Sequence, residues 1–179
     1  MMTNNTSRDM NAGTILETSR LILREWLPDD WVRLKPIATN PQVIRYVGMG
    51  QPPSDEQIRA YIEAARKLYR DAGFCLWPLV YRESQELIGF CGFDHLWGGE
   101  EIEIGYWLAP DYWGKGLATE AAQAVMRYGR ERLGLRQIVA VAHPENKASI
   151  RVLEKIGMVY VKNVTHEGVE HVYYRCRDP

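Results

Sequence analysis

Nowhere in its 179 residues does the chain hold an apolar run approaching the roughly 18 residues that a membrane-spanning helix needs. The opening stretch MMTNNTSRDMNAGT has no apolar core either, so neither a signal peptide nor a membrane anchor is expected. Cysteine is scarce. Cys75, Cys91 and Cys176 are an odd set without paired spacing, which reads as buried, reduced thiols rather than a disulfide framework. Net charge is nearly absent, with 22 Lys and Arg against 23 Asp and Glu, so no bulk field draws the chain to nucleic acid or anionic lipid. His95, His143, His166 and His171 lack the spacing of a metal site, and no metal is expected. The Asn-x-Ser/Thr matches at Asn4, Asn5 and Asn163 carry no meaning unless the chain is secreted. These features predict a cytoplasmic protein without nucleic-acid or membrane partners. No repeat or low-complexity segment is present.

What remains is an ordinary globular composition, 46% hydrophobic and 25% charged. The length suits one domain with a substantial core. The polar residues 1–14 read as a flexible tail and residues 15–179 as a single domain.

The periodicities predict alternating strands and helices. Residues 21–26, LILREW, have β character; a short helix follows Pro28, with Trp31 and Leu34 inward. Ser54 and Gln57 fit a capping box, and Ile58, Tyr61, Ile62, Ala65, Leu68 and Tyr69 then keep helical spacing up to Gly73. The runs FCLWPLVY and LIGFCGF around RESQE predict a hairpin, in which Pro78 implies an edge position or a bulge. A strand at 102–108, a helix at 116–133 and a continuous apolar strand at 137–142 form a βαβ unit, whose two strands are expected to be parallel. Another helix begins at Asn146 and stops at Gly157; a hairpin around Glu167 and Gly168 closes the chain.

Residues 101–133 carry the chemistry. Gly114, Gly116 and Ala118 leave a turn without bulky side chains at the start of a helix. Unpaired N–H groups and the helix dipole both favour an anion there, so the turn reads as a phosphate cradle, with Lys115 as a nearby cation. Two candidate carboxylates, Glu101 and Glu103, precede it on one face of the strand. No G-x-x-x-x-G-K-[ST] pattern is present, which argues against a nucleotide phosphotransferase.

The turn WGKGLATEA at Trp113 to Ala121 resembles the acyl-CoA pyrophosphate motif of the GNAT superfamily of N-acetyltransferases. The segment NKAS at Asn146 to Ser149, leading to LEKIGM, resembles that superfamily's second cofactor-binding segment. With TSRLILRE at its start, the chain is most similar to the ribosomal-protein N-terminal acetyltransferase branch, over residues 18–175. The resemblance implies an α/β (α+β) GNAT-like fold: a mixed, mostly antiparallel sheet of about six to seven strands, a parallel splayed pair at its centre and about four flanking helices. It also implies acetyl-CoA as cosubstrate, a small-molecule or peptide amine as acceptor, and allows a homodimer. Trp113 stands where the superfamily motif usually starts with Gln or Arg. The Tyr general acid that many relatives place seven residues after Asn146 is replaced by Leu153.

Acetyl transfer needs a deprotonated amine, a polarised thioester and a proton for the leaving thiolate. Glu103 is the first candidate base, with Glu101 second, and Ser149 the remaining candidate acid. The strands are expected to splay after Gly105, so that the pantetheine arm hydrogen-bonds to Trp107 and Leu108 and the free N–H groups near Tyr106 to Leu108 polarise the thioester carbonyl. Trp113, Gly114, Lys115, Gly116, Leu117, Ala118 and Thr119 are expected to bind the pyrophosphate, and Asn146 and Ser149 to contact the arm from the far side. The alternative reading is a non-catalytic acyl-CoA-binding module.

Overall fold

The computed structural model describes residues 12–46 and 50–176. Most of the expected tail, residues 1–11, lies outside them, as do Asn4 and Asn5. In chain order the elements are β1 (Thr14–Glu17), β2 (Leu21–Arg24), α1 (Asp30–Ala38), α2 (Pro41–Ile44), α3 (Asp55–Ala72), β3 (Leu76–Tyr81), β4 (Glu86–His95), β5 (Ile102–Leu108), α4 (Leu117–Glu131), β6 (Val139–Ala142), α5 (Lys147–Lys155), β7 (Met158–His166) and β8 (Val169–Cys176). The eight strands form one sheet in the order β1-β2-β3-β4-β5-β6-β8-β7. Every neighbouring pair is antiparallel except β5 and β6. Among the described residues, eight strands and five helices exceed the expected counts because β1 and α2 are four residues each, too short to show a period.

Local chemistry sets the helix ends. Ser54 caps α3: its Oγ accepts from Gln57 N at 3.3 Å, and Gln57 Oε1 accepts from Ser54 N at 2.8 Å, closing the capping box. Ile58, Ile62 and Ala65 form the buried stripe of α3, and Gly73 ends it at φ +78°. Asp30 opens α1 as a buried carboxylate. It accepts from Arg24 Nη1 and Nη2 at 2.7 and 2.9 Å and from Leu27 N at 2.8 Å, which ties α1 to β2. Such a pair is held by its hydrogen bonds, since neither ion has water to return to.

The core lies on both sides of β3 and β4. Trp77, Leu79, Cys91 and Phe93 are fully enclosed, and Trp77 meets Tyr128 of α4 edge-on. Pro78 sits on an interior strand rather than an edge. It lies one residue past the last β2–β3 pair, Leu23 and Leu79, and a register shift follows at Leu79 and Val80, the alternative that a proline predicts. All three cysteines are buried and free.

The decisive feature is where pairing stops. β4 and β5 pair continuously from Gly89–Leu108 to His95–Ile102. β5 and β6 share a single register position, Glu103 with Val139, and beyond it β6 pairs with β8 alone. Separation of the strands therefore begins two residues before Gly105. Gly105 has a different cause: a Cβ there would stand 3.1 Å from Leu76 Cδ2 on β3. β5 thus carries unpaired backbone toward β6 over its second half, at the centre of the sheet.

Candidate active site

The glycine turn lies immediately beyond that separated strand. A turn of 3-10 helix at Pro110–Tyr112 brings the chain round, and Gly114 and Gly116 take φ of +72° and +76°. Side chains other than glycine's are strained there. The first return bond of α4 runs from Glu120 N to Gly116 O at 3.0 Å, so the N–H groups of Leu117, Ala118 and Thr119 have no partner within the helix. They lie at the positive end of a four-turn helix dipole. Leu117 is buried and anchors the turn, while Lys115 is exposed with Nζ 5.2 Å from the Tyr112 ring centroid. Trp113 donates from Nε1 to the Leu108 carbonyl at 2.7 Å, tying the turn to the end of β5. The Leu108 carbonyl thus has a partner within the chain.

Across the gap stands the start of α5. Asn146 fills the cap role: its Oδ1 accepts from Ser149 N at 3.1 Å. The Tyr106 hydroxyl on β5 donates to the Ser149 carbonyl at 3.0 Å and lies 3.0 Å from Ser149 Oγ. Burial pushes the Tyr106 hydroxyl above its ordinary pKa, so it stays protonated near neutrality. Leu153, at the position where many relatives carry Tyr, is packed into the core. The sequence pointed to the Tyr106 backbone and left its side chain without a role. The available signal was a phenol on the otherwise aliphatic face Ile102, Ile104, Leu108.

Glu101 and Glu103 have different surroundings. Glu103 is half-buried at the last β5–β6 rung, and Asp94 stands opposite it on β4. Burial raises its carboxyl to about 7, and the Asp94 charge adds to the rise. Glu101 lies just outside β5, exposed, and accepts from the Tyr173 hydroxyl at 2.5 Å. Aromatic side chains continue on both sides. Phe90 lies between Tyr61 and Trp107, with centroids 5.7 and 4.9 Å away, and the Tyr61 hydroxyl is buried without a hydrogen-bond partner. Trp97, at φ +51°, stacks on His166 at 4.2 Å and meets His171 edge-on at 5.8 Å. A separate groove of about 440 Å³ runs between α4 and α5 past Gln123, Arg127, Arg130 and Lys155, away from the glycine turn and Glu103.

A separated parallel pair beside a glycine turn at a helix start is the arrangement that the resemblance implied. A family model described as an acetyltransferase (GNAT) domain matches residues 20–159. The chain belongs to the GNAT family. It is 38% identical to the uncharacterized N-acetyltransferase YoaA of Bacillus subtilis (strain 168), over 80% of this chain and 81% of that one. Among solved structures it is similar to a GNAT-family acetyltransferase from Bacillus anthracis, with a TM-score of 0.77, 28% identity, and 89% and 96% of the two chains covered. The fold is also that of RimL, a ribosomal L7/L12 alpha-N-protein acetyltransferase solved in complex with coenzyme A, with a TM-score of 0.78, 20% identity, and 92% and 97% coverage. This GNAT chain is an N-acetyltransferase with the mixed α/β sheet of its family. Among its described residues no group of His, Cys, Asp and Glu is placed to hold a metal ion, and no helix is long and apolar enough to cross a membrane.

Proposed function

We propose that this GNAT enzyme moves an acetyl group from acetyl-CoA directly to a primary amine while both substrates are bound. The observation that carries the proposal is the single β5–β6 rung at Glu103 and Val139. It leaves β5 backbone free where an extended pantetheine arm can pair, with the glycine turn beyond the end of β5 for the pyrophosphate and a carboxylate at the point of separation.

The residues divide the work. An alkylammonium has a pKa near 10.4, so it reaches the site charged. Asp94 and Glu103 make the approach favourable for a cation, and ionised Glu103 takes the amine proton. The freed nitrogen attacks the thioester carbonyl, and the backbone N–H groups of β5 facing the gap stabilise the oxyanion. As the C–N bond forms and the C–S bond breaks, the thiolate takes a proton from Ser149 or Tyr106, paired at 3.0 Å. Trp113, Gly114, Lys115, Gly116, Leu117, Ala118 and Thr119 hold the pyrophosphate; Asn146 orients Ser149. A non-catalytic acyl-CoA-binding module would follow from Leu153 in place of Tyr; the Ser149 hydroxyl, 3.0 Å from the Tyr106 oxygen, favours the catalytic reading.

The acceptor is a protein N-terminus or a small amine, met between the Asp94–Glu103 pair and the Trp97–His166 stack. Thermal-shift measurements should give stabilisation by acetyl-CoA and CoA but not by ATP, and thiol release should follow addition of a primary amine. Stabilisation by ATP alone defeats the proposal.

A further inference from the structure

Glu120 and Arg20 have no role legible in the sequence, yet they form the densest polar cluster against the glycine turn. Glu120, in the first turn of α4, accepts from Thr18 Oγ1 at 2.6 Å, Ser19 Oγ at 3.0 Å, Arg20 N at 3.0 Å and Arg20 Nε at 2.7 Å, with Arg20 Nη2 2.6 Å away. All the donors come from the β1–β2 connection, about a hundred residues earlier in the chain. Burial raises the Glu120 carboxyl, but these donors outweigh it and hold the group below the ordinary glutamate range. A bare carboxylate there would repel a phosphate at the same helix end. Five donors spread that charge.

The same guanidinium reaches the turn itself. Arg20 Nη1 donates to the Lys115 carbonyl at 2.9 Å, and Nη2 lies 3.7 Å from where a Gly116 Cβ would be. The Lys115 carbonyl and the Gly116 N–H belong to one planar trans peptide and point in opposite directions. Fixing the carbonyl on Arg20 therefore turns the Gly116 N–H away from the β1–β2 connection. Only a planar fork with several donors satisfies Glu120 and a carbonyl together, which lysine's single ammonium does not reproduce in that geometry.

We infer that Arg20, clamped by Glu120, is the positioning residue that sets the peptide plane of the phosphate turn, so that the β1–β2 connection governs affinity for the pyrophosphate of the acyl donor. The inference rests on the acetyl-CoA reading above. Arg20 does not touch the reacting atoms. Its effect is confined to the portion of the donor that carries phosphate.

Steady-state kinetics with two donors test it: acetyl-CoA, and S-acetylpantetheine, which has the same thioester and no phosphate. Arg20→Ala and the milder Glu120→Gln should each raise KM for acetyl-CoA, Arg20→Ala by roughly ten-fold or more. In both variants kcat/KM for S-acetylpantetheine should stay within about two-fold of the parent. Arg20→Lys should not rescue, and the Arg20→Ala, Glu120→Gln double variant should be no worse than Arg20→Ala, because the two side chains act through one contact. Equal losses with both donors, or an unchanged acetyl-CoA KM, overturn the inference. Failure of the parent protein to bind acetyl-CoA by titration calorimetry overturns the underlying reading instead, so the two failures are distinguishable.

Discussion

The hydroxyls of Tyr106 on β5 and Ser149 in the first turn of α5 lie 3.0 Å apart, across the mouth where β5 and β6 separate. Tyr106 also holds the Ser149 carbonyl, so one phenol spans both edges of the gap. Burial favours its protonated form. On the proposed reading, this pair is the proton source for the leaving thiolate, derived from a thiol of ordinary pKa near 8.5.

If that pair is the acid, Tyr106→Phe and Ser149→Ala should each lower kcat by roughly 10–100-fold with acetyl-CoA affinity retained. The double variant should be little worse than the poorer single one, since the two hydroxyls form one relay. Two independent, multiplying losses would show that they do not act together. Donor binding by calorimetry and kcat under saturation are the measurements.

Glu103 makes two linked predictions from one shift. With its carboxyl raised to about 7, kcat/KM for the acceptor should rise as pH passes through 7, and Glu103→Gln should remove that limb while lowering turnover by roughly 100–10,000-fold. The sign for stability is opposite. A carboxyl raised from 4.5 to about 7 keeps its proton in the folded state longer than in the unfolded state. Its contribution is full below about pH 4.5 and is lost as pH rises to about 7. Glu103→Gln, which cannot ionise, should thus match the parent at low pH and exceed its stability above pH 7, by at most about 3 kcal/mol. Denaturant midpoints across pH 4 to 8 check this, and a constant offset between the two proteins would refute the assignment.

Asp94 lies across the β4–β5 ladder from Glu103, and its charge is the second cause of the rise after burial. Asp94→Asn removes the charge and leaves the burial. The acid limb of the pH–rate profile should move to lower pH without disappearing. A limb that stays in place would mean that solvent screens Asp94 from Glu103.

Much of this was legible in the sequence where the signal is local. Ser54 and Gln57 marked the start of α3, IEIGYWL marked strand β5, and Gly114 with Gly116 marked a turn whose positive φ values favour glycine. Contacts between distant segments were not legible. Tyr106 and Ser149 are 43 residues apart and Arg20 and Glu120 are 100 apart, so no spacing rule joins them. Gly105 illustrates the difference. Its smallness pointed to a special position on β5, but the neighbour that a Cβ there would crowd, Leu76, is on a strand two ladders away, and the separation of β5 from β6 begins at Glu103. Asn146 was readable as a cap or a ligand; the structure fills the cap role through Ser149 N.

The seam between α4 and the sheet supplies a stability prediction with two opposed terms. Gly129 lies in the last turn of α4, where replacement by Ala gains at most about 1 kcal/mol through helix propensity. Here a Cβ would stand 2.4 Å from Phe93 Cζ and 2.7 Å from Cε2. Phe93 cannot retreat: it is fully buried and meets Phe74 and Trp77 edge-on at 6.3 and 6.4 Å. Overpacking of this kind costs about 1–3 kcal/mol and outweighs the propensity gain. Gly129→Ala should therefore lower Tm by several degrees for a protein of this size. A variant with raised Tm would mean that the α4–sheet seam has slack and that propensity governs the site.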